Sequence, residues 1–210
     1  MRYIYIAFTV AALFALTACS DDDEILASYR YDFADMTTSA QGNAMQLLLD
    51  DNSILNVLNT YVTQKPNQTF RVYAVSEQME NGVRLVNYSE ILTVEPHMIE
   101  EENVKTDPVD VVAVWASGKY INMRLGIKTG ASALKHTMGV VNDGITADEG
   151  GVKTIHLRLY HAQNNDDVSY TRTTAFSCNI SGVKSSLGPD DKIELCINTF
   201  SGEKRYYLVD

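Results

Sequence analysis

The chain has 210 residues, with 45% hydrophobic side chains, 17 basic against 27 acidic groups and a net charge of −10 at neutral pH. An acidic balance argues against nucleic acid and anionic membrane surfaces as partners, because both reward Lys and Arg. The length suits one large or two small domains, each able to bury a core without metals or disulfide staples.

Residues 1–18 read as a targeting segment. Met1-Arg2 supplies a positive start, and Ile4 to Leu16 is apolar and uncharged. That run is too short to cross a bilayer, which takes roughly 20 apolar residues as a helix. Leu16-Thr17-Ala18-Cys19 then resembles the bacterial lipobox, small residues before a cysteine where a secretory cleavage site belongs. The resemblance implies cleavage after Ala18 and a thioether-linked diacylglycerol on Cys19, so the expected partner at this end is a membrane. Two or more acyl chains hold a protein stably where one would not. Loss of Arg2 with the segment leaves the mature chain at −11.

Ser20-Asp21-Asp22-Asp23-Glu24 is a solvated acidic run, and residues 19–28 read as a tether. Lipoproteins of Bacteroidetes sent to the cell surface often carry such a cluster after the lipidated cysteine. The resemblance implies an outer-membrane anchor facing outward; a plain tether on a periplasm-facing anchor is the alternative.

From residue 29 the pattern is all-β: short alternating runs split by turn residues, with no long helical period. Residues 29–104 hold about five such runs. One lies around Tyr29 to Phe33, and Ala44–Leu49 and Ile54–Leu58 flank the turn cluster Asp50-Asp51-Asn52-Ser53. Phe70–Val75 and Val83–Tyr88 flank Asn81-Gly82, a dipeptide suited to tight hairpins. A small OB-like barrel is the expected closure, because it leaves no exposed edge. Met98 to Asn103 followed by Asp107-Pro108 reads as a linker, with the boundary near 105.

Residues 105–210 carry seven runs: Val111–Ala116, Tyr120–Ile127, Leu134–Val141, Val152–His161, Tyr170–Ile180, Asp191–Phe200 and Lys204–Val209. Turn signals separate them, among them Ser117-Gly118 and Asn142-Asp143-Gly144. Seven short strands at this spacing predict an immunoglobulin-like β-sandwich. Cys178 and Cys196 would lie opposite one another in a hairpin centred on Leu187. Yet Phe176, Cys178 and Ile180 alternate on the buried side, whereas Ile193, Leu195 and Ile197 put Cys196 outward. Paired residues share a face. Either a bulge shifts the register and allows a disulfide, or the thiols are separate.

The second half resembles a family. VWASGKYINMRLGI (Val114 to Ile127) is followed by KHTMGVVND (Lys135 to Asp143), IHLRLYHAQNNDD (Ile155 to Asp167) and AFSCNISGV (Ala175 to Val183). The order, with its W-x-[SN]-G-x-Y-[IL]-N element, is similar to the NigD-like lipoproteins of Bacteroidetes. The resemblance implies an N-terminal OB-type barrel and a C-terminal β-sandwich behind a lipidated cysteine, and a role linked to bacteriocins or immunity. Cys178 departs from the family pattern, standing where an ordinary strand residue is expected.

Chemistry-bearing motifs are sparse. His156 and His161, five apart on one strand, point to opposite faces and cannot share a metal ion. The oxygen-rich stretches Asn164–Asp167 and Asp143–Glu149 lack EF-hand spacing and have the composition of turns. There is no G-x-S-x-G elbow, no CxxC pair and no carboxylate pair singled out for hydrolysis. Trp115, the sole tryptophan, reads as a sandwich-core residue. With Tyr120, Tyr160 and Tyr170 it would instead build a sugar-stacking platform. The expectation is a binding module without catalysis or cofactor, whose ligand is a protein or, alternatively, a glycan at the cell surface.

Overall fold

A computed structural model describes residues 28–130 and 135–208. The signal segment 1–18, the lipidation site Cys19 and the tether up to residue 27 lie outside the described residues.

The first body is one sheet of five strands: β1 (Tyr29–Thr38), β2 (Ala44–Leu49), β3 (Ile54–Asn56), β4 (Thr69–Met79) and β5 (Gly82–Glu90). Their order is β3-β2-β1-β4-β5, and every neighbour is antiparallel. The two edges come together just past β3, where Val57 bridges Val83 and the Leu58 N–H donates to the Val83 carbonyl at 2.9 Å. Ala34, Met36, Leu47, Val72, Ala74 and Leu85 line the inside, as the period of two requires. The alternate residues of β1 and β4 therefore face outward. These are Phe33 and Asp35, with Tyr73 and Arg71 as their register partners.

The second body is a sandwich of two four-stranded sheets, β13-β12-β10-β9 and β6-β11-β8-β7. Its strands are β6 (Leu92–Val94), β7 (Asp110–Ser117), β8 (Tyr120–Thr129), β9 (Thr137–Ala147), β10 (Lys153–Ala162), β11 (Tyr170–Asn179), β12 (Lys192–Thr199) and β13 (Gly202–Leu208). Between the sheets lie Ile121, Met123, Leu125, Leu157, Phe176, Leu195 and Ile197, all nearly devoid of solvent. Period-two alternation in strands buried on one face supplies this core.

Three features differ from the sequence reading, each for a non-local reason. Leu92–Val94, given to the first body, pairs in parallel with Phe176–Cys178 of β11, so the chain enters the sandwich before residue 105. The stretch beyond it is stitched down by Glu101, whose carboxylate accepts from Arg158 at 2.6 and 3.0 Å. Asn142-Asp143-Gly144, read as a turn, is a bulge inside β9. Opposite His156 and Leu157 the register slips by one, and Gly144 has φ of 101°. An extra residue is absorbed this way without ending the strand.

The hairpin centred on Leu187 is the third correction. β11 and β12 belong to different sheets, joined by a single helical turn, α1 (Ser181–Lys184), and β12 pairs in parallel with β10. Cys178 and Cys196 are accordingly free thiols and form no disulfide. Cys178 sits in the sandwich core, where burial, with Glu95 adding, pushes its thiol up to about 12. Cys196 lies on the opposite face of β12, between Arg158 and Arg205 in the register, and burial raises it to about 11.

Candidate functional site

Around Asp35 and Arg71 the outward face of β1 and β4 is closed off from water. It meets the outward face of β7, β8 and β11, and the two faces are joined by charged and polar side chains. Arg71, 2% exposed at its side chain, lies at the centre. One guanidinium nitrogen reaches Asp50 Oδ1 at 2.6 Å, and the other donates to Asp50 Oδ2 at 2.8 Å and to Asn122 Oδ1 at 3.0 Å. The plane of Arg71 rests 3.9 Å from the centre of the Tyr120 ring.

The sandwich supplies the other half. The Tyr120 hydroxyl donates to both oxygens of Asp35, at 2.9 and 3.1 Å, and Lys119 Nζ stands 2.9 Å from Asp35. Burial, then the Asp35 charge, raises the Tyr120 phenol, and the hydrogen bond to Asp35 raises the Lys119 amine. Asn122 donates to Asp50 at 2.9 Å and accepts from Ser177 at 2.8 Å. Two cations, Arg71 and Lys119, thus meet two carboxylates, Asp35 and Asp50. Pairing and hydrogen bonding are what make charge tolerable at this depth.

Backbone geometry makes the approach possible. The β7–β8 turn places Gly118 at φ 56°, and a Cβ built there would fall 2.6 Å from the Asp50 carbonyl oxygen. Glycine is the residue that tolerates both conditions. Trp115 completes the contact, edge-on to Phe33 with ring centres 5.0 Å apart. It is therefore not a sandwich-core residue. Val114 takes the inward position, and alternation turns Trp115 toward the first body. The element W-x-S-G-x-Y-I-N is spelled by the seam, with Trp115, Gly118, Tyr120 and Asn122 all touching β1, β4 or the turn after β2.

Clefts open around the seam. One of about 500 Å³ is lined by Asp35, Asp50, Lys119 and Lys184. Another of about 460 Å³ is lined by Lys65, Phe70, Arg71 and Tyr120. A third, of about 340 Å³, is lined by Phe33, Tyr73, Arg124 and Arg172.

The remaining sequence candidates do not converge. Tyr120 is buried in the seam, Tyr170 is exposed at the start of β11, and Tyr160 is half-buried beside Gly139. Among the described residues these rings and Trp115 make no ring-to-ring contact with one another. His156 contacts Thr146 at 2.8 Å and Glu194 at 3.1 Å on the outer face of β10.

His161 has a partner the sequence reading missed. Its Nδ1 donates to the Asp107 carbonyl at 2.8 Å, so its Nε2 accepts from His136 Nδ1 at 2.8 Å. His136 Nε2 in turn faces Asp166 at 3.2 Å, and Asp166 also accepts from Thr129 and the Gly130 N–H. Burial holds the His161 imidazole below its ordinary value. The Asn164–Asp167 loop is thus organised by Asp166 as a hydrogen-bond hub. Among the described residues no three His, Cys, Asp or Glu side chains converge as a metal ion requires.

A family model described as the NigD-like C-terminal β-sandwich domain matches residues 90–210. Three solved structures share the fold over most of their length. A NigD-like immunity protein from Bacteroides caccae is 22% identical, with 85% of this chain and 90% of that one aligned at a TM-score of 0.66. A candidate toxin-related protein from Parabacteroides distasonis is 18% identical, covering 86% and 92% at 0.69. A candidate lipoprotein from Bacteroides fragilis is 12% identical, covering 87% and 97% at 0.61. No curated protein matches the chain.

Proposed function

The chain belongs to the NigD-like family, and from that premise we propose that it is a lipid-anchored envelope protein that acts by binding, without catalysis. The carrying observation is the seam. The buried charges of the first body, Arg71 and Asp35, are spent on the seam with the second. Asp35 is held by Lys119, Tyr120 and, at 3.5 Å, Arg71, and Asp50 by Arg71 and Asn122. Two bodies fixed in one orientation present their clefts preformed, which lowers the ordering cost of capture.

The structural relatives named as an immunity protein and as candidate toxin-related support a bacteriocin-immunity role, with a toxin as the captured partner. The lipobox at Cys19 and a relative named as a candidate lipoprotein support the anchor. The acids Asp21 to Glu24 favour export to the cell surface over a periplasm-facing anchor.

The test uses cells carrying the native chain or Cys19→Ala. With an alkyne fatty acid, label is expected on the native chain and absent from the variant. Protease added to intact cells is expected to remove the native chain; full protection until the outer membrane is broken would reverse the orientation. Survival against culture fluid of bacteriocin-producing strains is expected to need the chain, and equal survival without it would remove the immunity role.

A further inference from the structure

The third cleft is where the two faces of the seam part, and its chemistry differs from the rest of the surface. On one side the rings of Tyr31, Tyr73 and Phe33 form a row, with centres 6.4 and 5.4 Å apart. Trp115 extends it into the seam, 5.0 Å from Phe33. The row runs from Tyr31, 62% exposed, down to a half-buried tryptophan. On the other side stands Arg124, with Thr173 and Ser89 at the rim, and Arg172 and Thr174, in register with Ile127 and Leu125, border the cleft from the opposite face of β11.

The two guanidinium groups are exceptional in this chain. Arg30, Arg71, Arg84, Arg158 and Arg205 are each ion-paired, as expected where 27 acids outnumber 17 bases. Arg124 and Arg172 are the two described arginines that make no ion pair or hydrogen bond with another described residue, and both line this one cleft. Arg124 points there by alternation, because Met123 and Leu125 on either side of it are in the core. Glu90, the carboxylate at the same cleft, is already bound to Lys65 at 2.5 Å. The cleft is thus a locally cationic spot on an acidic protein.

We propose that this cleft binds an anionic carbohydrate, a sugar carrying a carboxylate or sulfate. The row of rings suits the apolar C–H face of a pyranose. The free guanidinium groups suit a planar, bidentate oxyanion. The rim hydroxyls of Thr173 and Ser89 match a ligand that itself offers hydroxyls. The proposal rests on the reading of the chain as a binding module and is independent of the immunity role.

Trp115, the sole tryptophan, reports on the row through its fluorescence. A lipid-free chain beginning after Cys19 is titrated with trigalacturonate, with a sulfated trisaccharide and with neutral maltotriose. A saturable change with at least one anionic sugar is expected, weakening as salt rises. Response to trigalacturonate alone identifies a carboxylate ligand, and to the sulfated sugar alone a sulfate ligand. Arg124→Gln is expected to weaken binding by about tenfold or more while leaving the melting curve in place, and Tyr73→Ala to weaken it as much in a chain that melts earlier but is still folded at the assay temperature. Tyr73→Phe, which keeps the ring, is expected to retain binding. No saturable response at millimolar sugar, equal binding of maltotriose, or unaltered affinity in both weakening variants would overturn the site. Shortened sugars after incubation would instead overturn the non-catalytic reading and leave the site standing.

Discussion

Replacing Arg71 by Met tests whether the seam holds the two bodies together. The substitution keeps the stem and removes the charge. Asp35 would lose its 3.5 Å contact to Arg71 but keep Lys119 at 2.9 Å and the Tyr120 hydroxyl. Asp50, 11% exposed, would keep one donor, Asn122 at 2.9 Å, and lose both contacts to the guanidinium. The seam would then hold one carboxylate charge in excess. Removing one partner of a buried pair costs about 3–5 kcal/mol. At about 2–4 °C per kcal/mol for a chain of this length, the melting temperature should fall by about 6–20 °C. The assay is calorimetry of the lipid-free chain, native against Arg71→Met, Asp50→Asn and the double variant. The double variant, which removes both charges, should recover about 0.5–3 kcal/mol relative to the sum of the singles. The single transition should also split, because the two bodies then unfold apart. A fall of less than about 2 °C, with additive singles, would show that water already screens these charges and would refute the lock.

Gly118→Ala should cost about 1–2 kcal/mol for the left-handed backbone alone, and more because the new methyl meets the Asp50 carbonyl; calorimetry and a red shift of Trp115 emission check it. His161 should make the fold acid-sensitive. Burial sets its folded value below the ordinary 6.5, so the unfolded chain takes up a proton that the fold refuses. Stability is full above 6.5 and falls as pH drops from there to the folded value. The groups facing it, His136, Asp107 and through His136 Asp166, remain in place, so urea midpoints should fall between about pH 8 and about pH 5, and less so in His161→Gln. For the cysteines, a lipid-free chain beginning after Cys19 should show no fast reaction with a thiol reagent when folded and two reactive thiols in denaturant. Absence of both thiols in denaturant would mean the strands are bridged after all.

Local pattern carried the strands and lost the partners, and the seam shows why. Alternation is a property of neighbouring residues, so all seven runs after residue 105 and the five before it could be read off the chain. The bulge at Asn142–Gly144 has the same composition as a turn, and nothing nearby distinguishes the two. Pairing is decided elsewhere. β6 is three residues long and is a strand because β11 offers it an edge. The seam is the extreme case: Arg71 lies 51 residues from Asn122, and Asp35 lies 85 from Tyr120. Trp115, Gly118, Tyr120 and Asn122 were visible as a string, but without Asp35, Asp50 and Arg71 the string had no purpose. A signal existed on the other side. The non-core face of β1 carries Phe33 beside Asp35, and that of β4 carries Tyr73 beside Arg71. A strand open to water has no use for aromatic rings on its solvent face, whereas a strand covered on both sides does. Aromatic residues interleaved with opposite charges at matching positions of two paired strands therefore mark a face that docks on a second body. The same reasoning locates the cleft, which lies where that row of rings runs out from under the sandwich.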